Sequence, residues 1–206
     1  MAGMIAGFPL DVLFAFLAAG LLLNLTPGAD VMFATASGLS GGPRVGAAAG
    51  LGVGLGGFWH VGLATLGLST LIAAVPMALV ALKWVGAAYL LWLAWASWTA
   101  PPAVPGQGGP TARTAIWRGF VTNALNPKVA LFILAFLPQF ADASRGPIWQ
   151  QILFLGAVFT LTGTCVTMGY GTLAGVLRRS LATRLSLLNK VAGAMLAILA
   201  VRIVTK

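Results

Sequence analysis

The chain has 206 residues, 59% of them hydrophobic and 7% charged, with a mean hydropathy of +0.97. Soluble domains carry about 25% charged residues, so the composition excludes a soluble fold and predicts an all-α protein of the lipid bilayer. A net charge of +9 would suit nucleic acid, but the basic residues stand in short loops rather than along one face, which argues against that partner. Cys165 is the single cysteine, which excludes an intrachain disulfide and a CxxC redox centre.

Residues 1–10 contain no Lys or Arg, the basic start that a cleaved signal needs, so the first apolar run is expected to stay in the protein. Crossing a hydrocarbon core of about 30 Å takes about 20 residues. Runs of that kind cover 10–39, 45–74, 77–98, 117–140, 147–177 and 187–204. These six expected transmembrane segments make 1–206 one integral-membrane domain. The first is interrupted by LNLTPGAD at 23–30. In the second, GAAAGLGVGLGG at 46–57 reads as a small-residue stripe for close helix approach. No Lys-Ser/Thr follows it, as a phosphate loop would require. Most of the tryptophans stand toward segment ends, as interfacial anchors do.

The Pro/Gly-rich linker 100–112 separates a first three-helix repeat, 1–99, from a second, 113–206. An offset of 100 pairs Leu25 with Leu125, Pro27 with Pro127 and Leu55-Gly56 with Leu155-Gly156. The polar interruption NALNPK at 123–128 answers LNLTPGAD. Three crossings per half make the repeats inverted, with the first and fourth segments broken at Pro27 and Pro127. Inverted repeats with broken helices at matching positions point to a transporter whose site lies between the repeats. The loop charges divide seven to four: Arg44, Arg113, Arg118, Arg178, Arg179, Arg184 and Lys190 against Lys83, Arg145, Arg202 and Lys206. The richer side is expected to be cytoplasmic, leaving both termini outside.

Proline lacks the N–H that closes a helical bond and frees backbone carbonyls before it. In a bilayer those groups need protein partners or a water-filled cavity. The half-helix beyond each proline offers N–H groups with partial positive charge, suited to a carboxylate. A kink packed against its neighbours is the alternative use of each proline.

These residues together resemble the LysE/RhtB family of amino-acid exporters over nearly the whole chain. The resemblance is carried by Thr26-Pro27-Gly28 with Asp30, the stretch 38–56, Trp59-His60 and 64–68 in the first part. It continues through 83–93, Arg118-Gly119-Phe120, Asn123, Asn126-Pro127-Lys128 and FLPQF at 136–140. Ala29 stands where the family often has a second proline, which makes the first break less rigid. The resemblance implies export of amino acids or related small metabolites, driven by a proton gradient, across a bacterial plasma membrane, and it leaves a homodimer open. No cofactor or metal is expected: three acids, one His and one Cys make a poor metal cage. No ATP-binding motif is present, and nothing suggests an enzyme; export of another small cation or metabolite, or a membrane scaffold without transport, is the alternative reading of the residues.

Asp30 is the one acid placed within a crossing away from its outer end, where a charge costs about 2.5–3.5 kcal/mol. It is expected to bind the substrate ammonium group and to carry the proton; its structural alternative is an acid favoured by the first turn of a helix. Lys128 lies in the first turn after Pro127, where a cation is disfavoured, so an anion is expected beside it, either Asp30 or a substrate carboxylate. Its alternative is snorkelling to an interface. His60, the one histidine, is either a proton relay or a hydrogen-bonded interior residue. Asn24, Asn123 and Asn126 can serve freed carbonyls or substrate. The expected substrate site is therefore Asn24, Thr26, Gly28, Asp30, Asn123, Asn126 and Lys128.

Overall fold

The computed structural model describes residues 8–25, 28–66, 76–99, 110–133 and 137–178, with positions 187, 190–191, 193–194, 197–198 and 200–201 of the last segment. All regular structure among them is helical, and each of the six apolar runs contains helix. Helix α1 is Leu10–Leu25, built from Leu, Ala and Phe with Asp11 favoured in its first turn. Helix α2, Ala29–Gly41, meets α1 at 45°. Thr26 and Pro27, on which the first break was placed, lie outside the described residues. At Gly42 the chain turns with φ +88°, a conformation suited to glycine, and its N–H returns to the Gly38 carbonyl at 2.7 Å. Pro43 then opens α3, Pro43–Thr65, where its missing N–H costs nothing.

Helix α4 covers Pro76–Trp98. Helix α5, Ala112–Ala124, starts at Thr111, whose hydroxyl accepts from the Thr114 N–H at 3.2 Å. Helix α6, Pro127–Leu131, follows after two residues. Two 3₁₀ turns, Leu137–Phe140 and Ala143–Arg145, lead to the long α7, Ile148–Leu177. By length and hydropathy, among the described residues, α3 and α7 can each cross a bilayer, and the α1–α2 pair, bent by 45°, is long and apolar enough for a third if it forms one broken span rather than a re-entrant loop.

Helix α3 lies between α5 and α7, and α2 packs on both α3 and α7. Glycine explains the closeness. Along one face of α3, Gly46 meets Gly171, Gly50 meets Met168, Gly54 meets Thr164 and Gly57 meets Thr160 of α7. A Cβ at Gly46 would run into the Gly171 backbone. On another face, Gly52 meets Ile116 and Gly56 meets Phe120 and Asn123 of α5, where Gly119 sits on the Ala49 carbonyl. The expected stripe of small residues thus serves two neighbours. In lipid, where apolar burial gives no advantage over lipid contact, such van der Waals packing is what brings helices together.

Two apolar clusters flank the interrupted region. One holds Phe16, Val61, Val129, Phe132, Ile133, Leu155 and Phe159, with Phe132 stacked 4.4 Å from Phe159. The other is smaller in side chain, with Ala29, Phe33, Ala34, Ala49, Ala87 and Ala115. All seven tryptophans are exposed on the outer surface, the side that lipid would cover. Trp59 and His60 therefore part company: the indole faces outward while the imidazole is buried.

The loop before α7 is held by a buried amide. Gln151 accepts from the Asp142 N–H at 3.1 Å and donates to the carbonyls of Asp142 at 2.8 Å and Gly146 at 3.0 Å. Arg145 donates to the Phe140 carbonyl at 2.7 Å and lies 5.2 Å over the Phe8 ring. Asp142 accepts from both the hydroxyl and the backbone N–H of Ser144, and these bonds hold its carboxyl below the ordinary aspartate range.

Candidate functional site

Asp30 stands in the first turn of α2, where the helix dipole favours an anion. Its Oδ2 accepts from two amides of the other half of the chain: Asn123 Nδ2 at 3.1 Å and Asn126 Nδ2 at 2.9 Å. Its Oδ1 is buried and has no hydrogen-bond partner. Asn123 comes from the last turn of α5 and Asn126 from the two-residue connection to α6. Asn126 uses both ends of its amide, because Oδ1 accepts from the Lys128 N–H at 3.0 Å while Nδ2 reaches Asp30. The N-terminus of α6 is thereby capped by its own chain. At the N-terminus of α2, by contrast, Gly28 is extended (φ −146°, ψ −170°) and offers no side-chain cap. The two helix starts therefore differ, although the sequence gives each a proline.

Lys128 sends its ammonium to the Leu23 carbonyl in the last turn of α1, at 2.9 Å. The sequence predicts an anion beside this cation, and Asp30 acts on its charge; the hydrogen bond to Leu23 goes to a carbonyl that carries the partial negative charge of a helix end. Asn24, next in sequence, donates to the Phe159 carbonyl at 3.2 Å and to Thr162 Oγ1 at 3.1 Å, tying α1 to α7. His60 Nε2 lies 3.0 Å from the Asn123 carbonyl. A carbonyl only accepts, so Nε2 carries the hydrogen, and Nδ1 is buried without a partner.

Between these groups lies a cavity of about 40 Å³, room for about three water molecules at about 10–15 Å³ each. Of the residues chosen from sequence, Asn24, Gly28, Asp30, Asn123 and Lys128 line it. Asn126 does not line it but bonds to Asp30, His60 reaches the Asn123 backbone, and Pro127 is buried as the first residue of α6. Thr26 lies outside the described residues. The cavity has a further wall that the sequence reading did not identify: Thr160, Gly163, Thr164 and Thr167 of α7. The signal was available in FTLTGTCVT, 159–167, where the three threonines recur at i, i+4 and i+7 and so share a helix face.

A bundle of apolar helices with a partly polar cavity among them, bounded by a half-buried acid, a lysine and amides from distant helices, defines a helical membrane protein built to handle a polar group within lipid. The model of the LysE type translocators matches residues 21–206, and the chain belongs to that family. It is 32% identical over 193 residues to an uncharacterized membrane protein of Vibrio cholerae, covering 90% of this chain and 93% of that one. It is 35% identical over 166 residues to the homoserine/homoserine lactone efflux protein of Salmonella typhi, covering 78% and 79%. Identity to the leucine efflux protein of Enterobacter sp. is 27% over 162 residues, 77% of each chain. No solved structure matches the chain.

Proposed function

We propose that this protein is a secondary transporter that exports amino acids or related small metabolites from the cytoplasm by proton antiport. In this reading it is a multi-pass protein of the bacterial plasma membrane, with six segments forming two inverted three-helix repeats and both termini outside. The observation that carries the reading is Asp30: one acid, held by Asn123 and Asn126 from the other half, on a cavity that also receives Lys128. An acid and a base on one cavity match the two charges of an amino acid. Relatives named for homoserine and leucine efflux support the same substrate class.

Asp30 takes the substrate ammonium group in one half of the cycle and a proton in the other, so that the acid never crosses uncompensated. The uncapped start of α2 and the Lys128 ammonium take the carboxylate. Loss of the Lys128 bond to Leu23 then frees the end of α1, coupling occupancy to movement of the broken segment. His60 serves the Asn123 carbonyl, so its part in proton coupling is to hold the amide that holds Asp30. The test is efflux of labelled homoserine or leucine from proteoliposomes with and without an imposed pH gradient. Gradient-stimulated efflux is expected; no efflux of any amino acid under either condition would refute the reading.

A further inference from the structure

We infer that Thr160 of α7, together with Asn123 and Asp30, forms a three-oxygen seat for a primary ammonium group, which rests on the export reading above. Three side-chain oxygens of residues lining the cavity are buried and accept no hydrogen bond: Asp30 Oδ1, Asn123 Oδ1 and Thr160 Oγ1. Buried polar atoms are paired in the great majority of cases, and three exceptions among residues that line one small cavity need a common explanation. Asn123 and Thr160 are among the most buried polar residues, 3% and 4% exposed.

The donors around the cavity are already directed at protein acceptors. Asn24 donates to α7, Asn123 and Asn126 to Asp30 Oδ2, and Lys128 to Leu23. What is left unmet is acceptor capacity beside a carboxylate, and a primary ammonium group brings three N–H donors and a positive charge. Lys128 is the second charge on the cavity, and its ammonium is not bonded to any of these three oxygens.

Thr160 differs from its neighbours on α7. Thr162, Thr164 and Thr167 return their hydroxyls to helix carbonyls at 2.9, 2.7 and 2.7 Å, the usual way a threonine hides its hydroxyl in a helix. Thr160 Oγ1 makes no such bond. Gly57 of α3 lies against it, where a Cβ would come within 2.8 Å of the Thr160 methyl and 3.2 Å of its Oγ1.

The seat predicts a graded response to N-methylation, because each methyl removes one donor. Proteoliposome export is measured for one labelled amino acid and its N-methyl, N,N-dimethyl and N,N,N-trimethyl forms, in the wild type and in Thr160→Val and Thr160→Ser. The wild type is expected to lose export stepwise along the series. Thr160→Val, which keeps the shape and removes the oxygen, should raise KM for the primary amine about tenfold and flatten the difference between the primary and methylated forms. Thr160→Ser should restore both.

A wild type that exports all four forms equally overturns the seat while leaving the export reading intact, and this comparison needs no variant. Equal loss of all forms in Thr160→Val also overturns it. A wild type that exports no amino acid at all fails the export reading itself.

Discussion

The Lys128 ammonium donates to the Leu23 carbonyl across 105 residues of sequence, at 2.9 Å. One side chain of α6 thus closes the end of α1, and the relationship is lost without its charge and donors. Lys128→Met is expected to lower stability in detergent by about 0.6–1.7 kcal/mol, the range for polar contacts between membrane helices. It should also weaken export. Thermal unfolding and proteoliposome efflux check the two effects, and Lys128→Arg should recover more of the stability than of the transport, since a planar fork replaces a compact ammonium.

Asp30→Asn keeps the size of the side chain and removes the charge. Export should fall about tenfold or more, the worth of a hydrogen bond to a charged group, and its response to a pH gradient should disappear. The protein should still reach the membrane in normal amount, because a neutral amide is easier to insert than an acid. Undiminished gradient-driven efflux in this variant would contradict the proposed role.

His60 separates two mechanisms by one substitution. Gln retains an N–H that can reach the Asn123 carbonyl, whereas Ala does not. If His60 acts by holding Asn123, His60→Gln should export at close to the wild-type rate with an unchanged pH profile, and His60→Ala should lose about tenfold. A pH profile flattened equally by both variants would instead mark a titrating relay.

The glycines of α3 and α7 give a stability prediction with an internal control. Gly46→Ala and Gly171→Ala place a methyl against facing backbone and should cost about 1–3 kcal/mol, as overpacking does. Gly62 and Gly169 have nothing within 4 Å of a Cβ. Ala there should be neutral or stabilising by up to about 1 kcal/mol, because alanine favours helix. Detergent melting curves of the four variants decide it.

The loop before α7 carries a pH dependence of known sign. Ser144 holds Asp142 below the ordinary aspartate range, so its contribution is present above the unfolded value of about 3.9 and fades as pH falls through the lower folded value. Hydrogen exchange at Ser144 and Arg145 should rise only at pH below about 4. In Asp142→Asn, which keeps the oxygen that Ser144 uses, that step should vanish.

Much of this arrangement was legible in the residues themselves. Asp30 declares itself because an acid in an apolar run is costly, and the alternatives to a functional role are few. Pro127 declares the start of α6 by removing a donor. The α7 wall was harder to read, since threonine is tolerated in any membrane helix and normally hides its hydroxyl, as Thr162, Thr164 and Thr167 do. Only the folded arrangement separates Thr160 from them. The double use of Asn126 was equally hidden, because an amide advertises capacity without naming its partners. The glycines of 46–57 indicated close approach, but which helix met which face depended on pairings far apart in sequence.

The seam where Gly46 faces Gly171 has a mechanical meaning. Backbone meets backbone there, with no side chain between that could change rotamer and let the helices slide by degrees. Close-packed contacts of this kind favour discrete arrangements over continuous deformation. Helices α3 and α7 therefore act as a fixed post, and α1 is joined to it through side chains instead, with Phe16 in the aromatic cluster, Gly20 against Phe159 and Asn24 bonded to α7. In the proposed export cycle, rearrangement would fall on those side-chain contacts rather than on the glycine seam.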